Sequence, residues 1–150
     1  MKLLLVQREA TDLYSTLLSS ETSRNILRFY RPKRLDYGVS ITCASLGSVL
    51  SLASELRWYL RRYVQEAIVE VSPQTFCTLA LAEEIYQRRE PHEADWNHKK
   101  RIGIREGAVA AVAWPGLEIE PEDQPDIADG MDTVLDVWCS ESEFLQDKKD

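Results

Sequence analysis

Hydrophobic positions recur along this chain in two periods, and the longest run of either lies near its middle. Leu46, Val49, Ala53, Leu56, Leu60, Tyr63 and Ala67 are spaced alternately by three and four residues, the repeat of one helical face. The pattern predicts a single long helix over 45–70, capped by Ser45 or Ser48, whose hydroxyls can accept from its free N–H groups. Leu50, Leu52, Trp58, Tyr59 and Val64 lie off that seam. A helix apolar over so much of its circumference belongs in the middle of a domain or at a subunit interface. Arg57, Arg61 and Arg62 are left as its wet edge.

The same three-four spacing at Leu3, Val6, Ala10, Leu13 and Leu17 predicts a helix over 3–18, with a strand at Leu3–Val6 as the competing reading of four apolar residues in a row. Thr22 or Ser23 can cap a short helix over 24–30, which Pro32 stops. The period then changes to two. Tyr37, Val39, Ile41 and Cys43 alternate with small residues and predict a strand. Ser72-Pro73 reads as the start of a further helix running to Arg89, because proline suits a first helical position. Ala67–Val71 between these helices is either the last turn of the long helix or a short strand over Ile68–Val71. A polar loop over 90–98 follows. Residues 100–120 read as a three-stranded meander with a turn at Glu106-Gly107. Residues 120–130 read as a loop, and Thr133–Cys139 as a last strand or short helix. The order implies an α+β fold: a central long helix, with N-terminal and following helices, packed on one face of a mainly antiparallel sheet. Residues 1–139 form one globular domain on this reading, and 140–150 a flexible acidic tail.

Charge sharpens the picture. Residues 1–89 carry 12 Lys/Arg against 9 Asp/Glu, and residues 90–150 carry 6 against 16, which makes +3 and −10 of the total of −7. A mildly basic part followed by a strongly acidic one implies two faces for two partners, or a self-complementary surface that would support a homodimer. Three cysteines, Cys43, Cys77 and Cys139, are too few and too odd for a secreted disulfide scaffold. They point to a reducing, intracellular setting, and the cytoplasm is the expected location. The run Leu3-Leu4-Leu5-Val6 ends at Gln7-Arg8-Glu9, short of a signal peptide. No stretch reaches the ~18–20 apolar residues of a membrane-spanning helix.

Three chemistries are written in the side chains. The first is partner binding without catalysis, as in an inhibitor, immunity-type, chaperone-type or viral accessory protein. It would use Arg57, Trp58, Arg61 and Arg62 of the helix edge, Trp96 as an exposed aromatic anchor, and the acidic residues Glu118, Glu120, Glu122, Asp123 and Asp126. The second is RNA or single-strand binding by a self-associating, matrix-like viral protein. Arg28, Arg31, Lys33 and Arg34, with Lys99, Lys100 and Arg101, would meet phosphates there while nearby aromatics stack on bases. The net charge of −7 argues against a dedicated nucleic-acid binder. The third is an enzyme or metal site in the 92–98 loop, where His92, Asp95 and His98 sit three apart. No nucleophile stands at a partnering spacing, and no phosphate loop, cofactor motif or calcium-loop spacing occurs. The leading expectation is therefore a small non-enzymatic protein-binding domain with no cofactor.

Overall fold

The computed structural model describes residues 1–88, 98–113, 130–140 and 143. The elements run β1 (Lys2–Gln7), α1 (Leu13–Ser19), α2 (Glu21–Leu27), β2 (Lys33–Leu35), β3 (Gly38–Thr42), α3 (Leu46–Glu55), α4 (Arg57–Tyr63), β4 (Val64–Ser72), β5 (Thr75–Thr78), α5 (Leu79–Arg88), β6 (Lys99–Arg105), β7 (Ala108–Ala113) and β8 (Thr133–Trp138). The strands make one sheet in the order β2-β3-β1-β4-β5-β8-β6-β7. All neighbours in it are antiparallel except β5 and β8. The α+β expectation holds.

The sheet is strongly curled. Five strand steps separate β1 from β7, about 24 Å if the sheet lay flat. Yet Gln7 Nε2 donates to the Gly107 carbonyl at the β6–β7 turn over 3.0 Å. Three steps, about 14 Å when flat, separate β4 from β6, and Lys100 Nζ lies 2.9 Å from Glu66 Oε2. The β6–β7–β8 part therefore rolls back over the inner face of β1 and β4.

Two apolar cores result. On the outer face, Leu3, Leu5, Val39, Ile41, Val69 and Val71 pack against helix residues such as Leu13, Leu17, Leu52, Leu56 and Ile85. On the inner face, Leu4, Val6, Ile68 and Phe76 pack with Ile102, Ile104, Leu135 and Val137. Each fully buried leucine contributes roughly 1.5–3 kcal/mol.

This double burial explains where helical spacing misleads. The proposed helix over 3–18 is instead β1 followed by α1. Leu3, Leu4, Leu5 and Val6 are all buried because β1 is covered on both faces, and such a strand reads as a continuous apolar run. Helix α1 starts only after Asp12, whose Oδ1 accepts from Ser15 N–H at 3.2 Å. The helix expected over 24–30 is α2, which starts earlier, after Ser20, and ends at Leu27.

The single helix over 45–70 is also corrected. It breaks at Leu56 (φ −91°, ψ 3°), a buried residue that closes α3 and opens α4. The chain then becomes extended at Val64, so Ala67 belongs to β4 and the strand reading of Ile68–Val71 is the right one. Ser72-Pro73 starts no helix. Pro73 and Gln74 link β4 to β5, with Gln74 at φ 65°, as in a type II turn led by proline. Helix α5 begins at Leu79, behind Thr78, whose Oγ1 accepts from Leu81 N–H at 3.2 Å.

The Glu106-Gly107 hairpin joins β6 and β7 as expected, with both turn residues at positive φ. Thr133–Trp138 is strand β8. The third piece of the meander, at Leu117 and Ile119, lies outside the described residues. Of the C-terminal segment, Ser140 is buried and Glu143 accepts from Thr78 Oγ1 at 2.6 Å. No helix among the described residues is long and apolar enough to cross a membrane.

Candidate functional site

Helix α4 carries Arg57, Trp58, Arg61 and Arg62 to solvent while turning Tyr59 inward. Helical spacing sorts them. Leu56 and Tyr59, three apart, reach the core, and Tyr59 is 7% exposed. Its hydroxyl lies 2.7 Å from Ser20 Oγ, at the start of α2. Trp58 points away and is 50% exposed. Its ring meets Tyr59 edge-on at 4.9 Å and lies 6.2 Å from Tyr63.

Arg62 is held in place by its surroundings, and the backbone of α4 is tied to the end of β1. The guanidinium carbon of Arg62 sits 3.9 Å over the Trp58 ring, a cation–π contact that fixes a long side chain without neutralising it. Arg8, just beyond β1, donates from Nη2 to the Arg61 carbonyl at 2.9 Å and from its backbone N–H to the Tyr63 carbonyl at 3.0 Å. Among the described residues none of Arg57, Arg61 and Arg62 enters an ion pair; the three pairs found there join Arg34 to Asp12, Lys100 to Glu66 and Arg101 to Asp136. The edge is thus positively charged, aromatic and partly pre-ordered.

A second exposed pair lies beyond α2. The Arg28 guanidinium sits 4.4 Å over the Phe29 ring, and Phe29 is 82% exposed. Arg31 and Lys33 are exposed nearby in sequence. Arg34 is engaged: it binds both Asp12 carboxylate oxygens at 3.0 Å, donates to Ser15 Oγ, and covers the Tyr14 ring. Arg34, with the Ser15 N–H, holds the Asp12 carboxyl below its ordinary pKa.

Lys99, Lys100 and Arg101 do not join the Arg28–Arg34 stretch in one open groove. Strand alternation turns Lys100 inward, where it is 6% exposed and paired with Glu66. Lys99 covers the Trp138 ring. Arg101 binds both oxygens of Asp136, at 2.7 and 3.3 Å, and holds that carboxyl below its ordinary pKa.

Trp96, Glu118, Glu120, Glu122, Asp123 and Asp126 lie outside the described residues, as do His92 and Asp95. His98 is described, and its carbonyl accepts from Cys139 N–H. Among the described residues no three His, Cys, Asp or Glu side chains group to hold a metal. All three cysteines are free and buried. Burial, then the neighbouring Glu143 charge, pushes the Cys77 thiol up to about 12, so it stays protonated and unreactive near neutrality.

Phe29 is what sequence reasoning passed over as an anchor. It stands beside Arg28 in the sequence, but nothing in the stretch Arg28-Phe29-Tyr30-Arg31 tells which ring turns outward.

Fold and surface together define a curled-sheet α+β protein with a cationic, aromatic edge. Residues 1–104 match the model of DUF5804, a family of unknown function, and the chain belongs to that family. The match takes in α1 to α5, with the whole α4 edge, and stops within β6. No curated protein and no solved structure matches the chain.

Proposed function

We propose that this protein is a non-enzymatic binding domain that takes up an acidic segment of a partner protein on the α4 edge. One observation carries the reading. Three exposed arginines, in no ion pair among the described residues, share the short helix α4 with a half-exposed tryptophan whose ring holds one of them. Exposed tryptophan and arginine are the residues most enriched where binding energy concentrates. A guanidinium offers paired N–H donors to a carboxylate, and its attraction for an acidic partner speeds encounter.

Single-stranded RNA is the second reading, supported by the Arg28–Phe29 pair. It is the weaker one. The net charge of −7 is unlike that of a dedicated nucleic-acid binder, whose domain is usually basic.

Titration calorimetry with a glutamate-rich peptide and with a uridine oligonucleotide separates the two. The proposal expects the peptide to bind, salt to weaken it, and the Arg57→Glu/Arg61→Glu/Arg62→Glu variant to lose it. Oligonucleotide binding without peptide binding would replace the proposal with the second reading. Equal peptide affinity in the variant would end it.

A further inference from the structure

We infer that the partner segment is extended and long enough to cross from Trp58 on α4 to Phe29 beyond α2, so that Arg24, Arg28 and Phe29 belong to the same interface as Arg61 and Arg62. This rests on the α4 reading above and adds the shape and length of what binds.

The contact between Ser20 Oγ and Tyr59 OH sets the start of α2 directly beside α4. Ser20, Arg24 and Arg28 are spaced by four and so follow one face of α2 away from that contact. Arg24 and Arg28 are both exposed. The stripe ends at Phe29, the most exposed of the large hydrophobic residues described, at 82%. Between Ser20 and Phe29 the exposed charges are Glu21, at the α4 end, and Arg24 and Arg28 beyond it. The part of the path that leads to Phe29 is therefore cationic.

The rise of a helix puts Phe29 about 13 Å from Ser20. An extended chain covers that in about four residues, so a segment of roughly eight to twelve residues reaches both anchors with contacts to spare. Its chemistry follows from the two ends. Carboxylates suit the guanidinium edges left free beside each ring, and an apolar side chain near each terminus suits the exposed parts of Trp58 and Phe29. Two weak sites joined by one segment bind more tightly than either alone, because the second contact is made at high effective concentration.

The test is fluorescence polarisation with two fluorescein-labelled peptides: a glutamate-rich twelve-residue peptide with a leucine near each end, and its six-residue half. The twelve-residue peptide should bind at least tenfold more tightly. Phe29→Ser, a change at an exposed position, should bring it down to the affinity of the half while leaving the half unaffected. Trp58→Ser should weaken both. If Phe29→Ser leaves the longer peptide unchanged while Trp58→Ser weakens it, the extended interface is wrong and the α4 reading stands. If Trp58→Ser changes neither peptide, or neither binds, both fail. A twelve-nucleotide uridine strand that binds more tightly than the peptide, and is weakened by Phe29→Ser, overturns the inference in favour of nucleic acid.

Discussion

Replacing Gly38 by alanine should be among the most damaging single-methyl changes available in this protein. Gly38 opens β3 and lies opposite Val6 of β1 and Leu35 of β2. A Cβ there would fall 1.8 Å from the Leu5 carbonyl oxygen and 2.9 Å from its carbon, against the ~3.5 Å of an ordinary contact. Both clashing groups are backbone, and Leu5 and Val6 are wholly buried, so neither strand can step aside cheaply. Relief requires opening the end of the β1–β3 pairing. Two or three ladder bonds at roughly 1 kcal/mol each, with the packing of Val39 disturbed as well, give a cost of about 3–5 kcal/mol. That is a large part of the 5–15 kcal/mol typical of a domain.

Gly47→Ala is the control. The atoms nearest its Cβ would belong to the Tyr86 side chain, from 3.3 Å, and Tyr86 is 57% exposed and can yield. Alanine is better than glycine in a helix by up to ~1 kcal/mol, so this variant should be neutral or slightly stabilised. Urea unfolding followed by circular dichroism reads both. With a slope of about 2 kcal/mol/M, the Gly38→Ala midpoint should fall by roughly 2 M. A fall worth less than 1 kcal/mol, or an equal fall for Gly47→Ala, would refute the close approach of β1 and β3.

Three further outcomes follow. Glu106→Asn should stabilise by a few tenths of a kcal/mol to about 1, because residues 106 and 107 both adopt positive φ and asparagine tolerates that turn position far better than glutamate; a loss in thermal midpoint would contradict the turn. Lys100→Met should cost about 3 kcal/mol by stranding the Glu66 carboxylate inside the curled sheet, and adding Glu66→Leu should recover most of it in the same denaturation assay. The Asp136 and Asp12 carboxyls are held below their ordinary pKa by Arg101 and Arg34. Their stabilisation is complete above the unfolded carboxylate range near 4 and is lost as pH falls through the lower folded values; Asp136→Asn should therefore destabilise slightly at neutral pH and lessen the loss of stability below pH 4, whereas an unchanged acid limb would count against the pairing.

Strands that alternate apolar with small or polar residues were legible in the sequence, β3 among them although it is buried on both faces, and strands that do not alternate were not. The hairpin at Glu106-Gly107 follows directly from alternation and turn chemistry, whereas Thr133–Cys139 read equally as a strand or a short helix and is strand β8. Strand β1 hides because its four apolar residues fill two cores at once. Strand β4 hides because Ala67 happens to continue the three-four spacing of α3 and α4, and only the break at Leu56 and the extended backbone from Val64 reveal it. Pro73 suits a turn as well as a helix start, and the strand Thr75–Thr78 that decides between them is too short to show a period. At the candidate site, the outward position of Arg57, Arg61 and Arg62 was legible from their charge and their place off the seam, but Trp58 and Tyr59 lie equally off it, and only the fold turns the first outward and the second inward. Lys100 stands in phase with the buried Ile102 and Ile104, a phase its charge disguises. The exposure of Phe29 required the end of α2, which no residue pattern fixes.

The most direct test of the central claim follows the indole N–H signals in a proton–nitrogen correlation spectrum while a glutamate-rich peptide is added. The Trp58 signal, assigned by its loss in Trp58→Phe, should shift progressively and saturate while that of Trp138 stays in place. A Trp58 signal that does not move at saturating peptide would contradict the claim that the α4 edge is where this protein binds its partner.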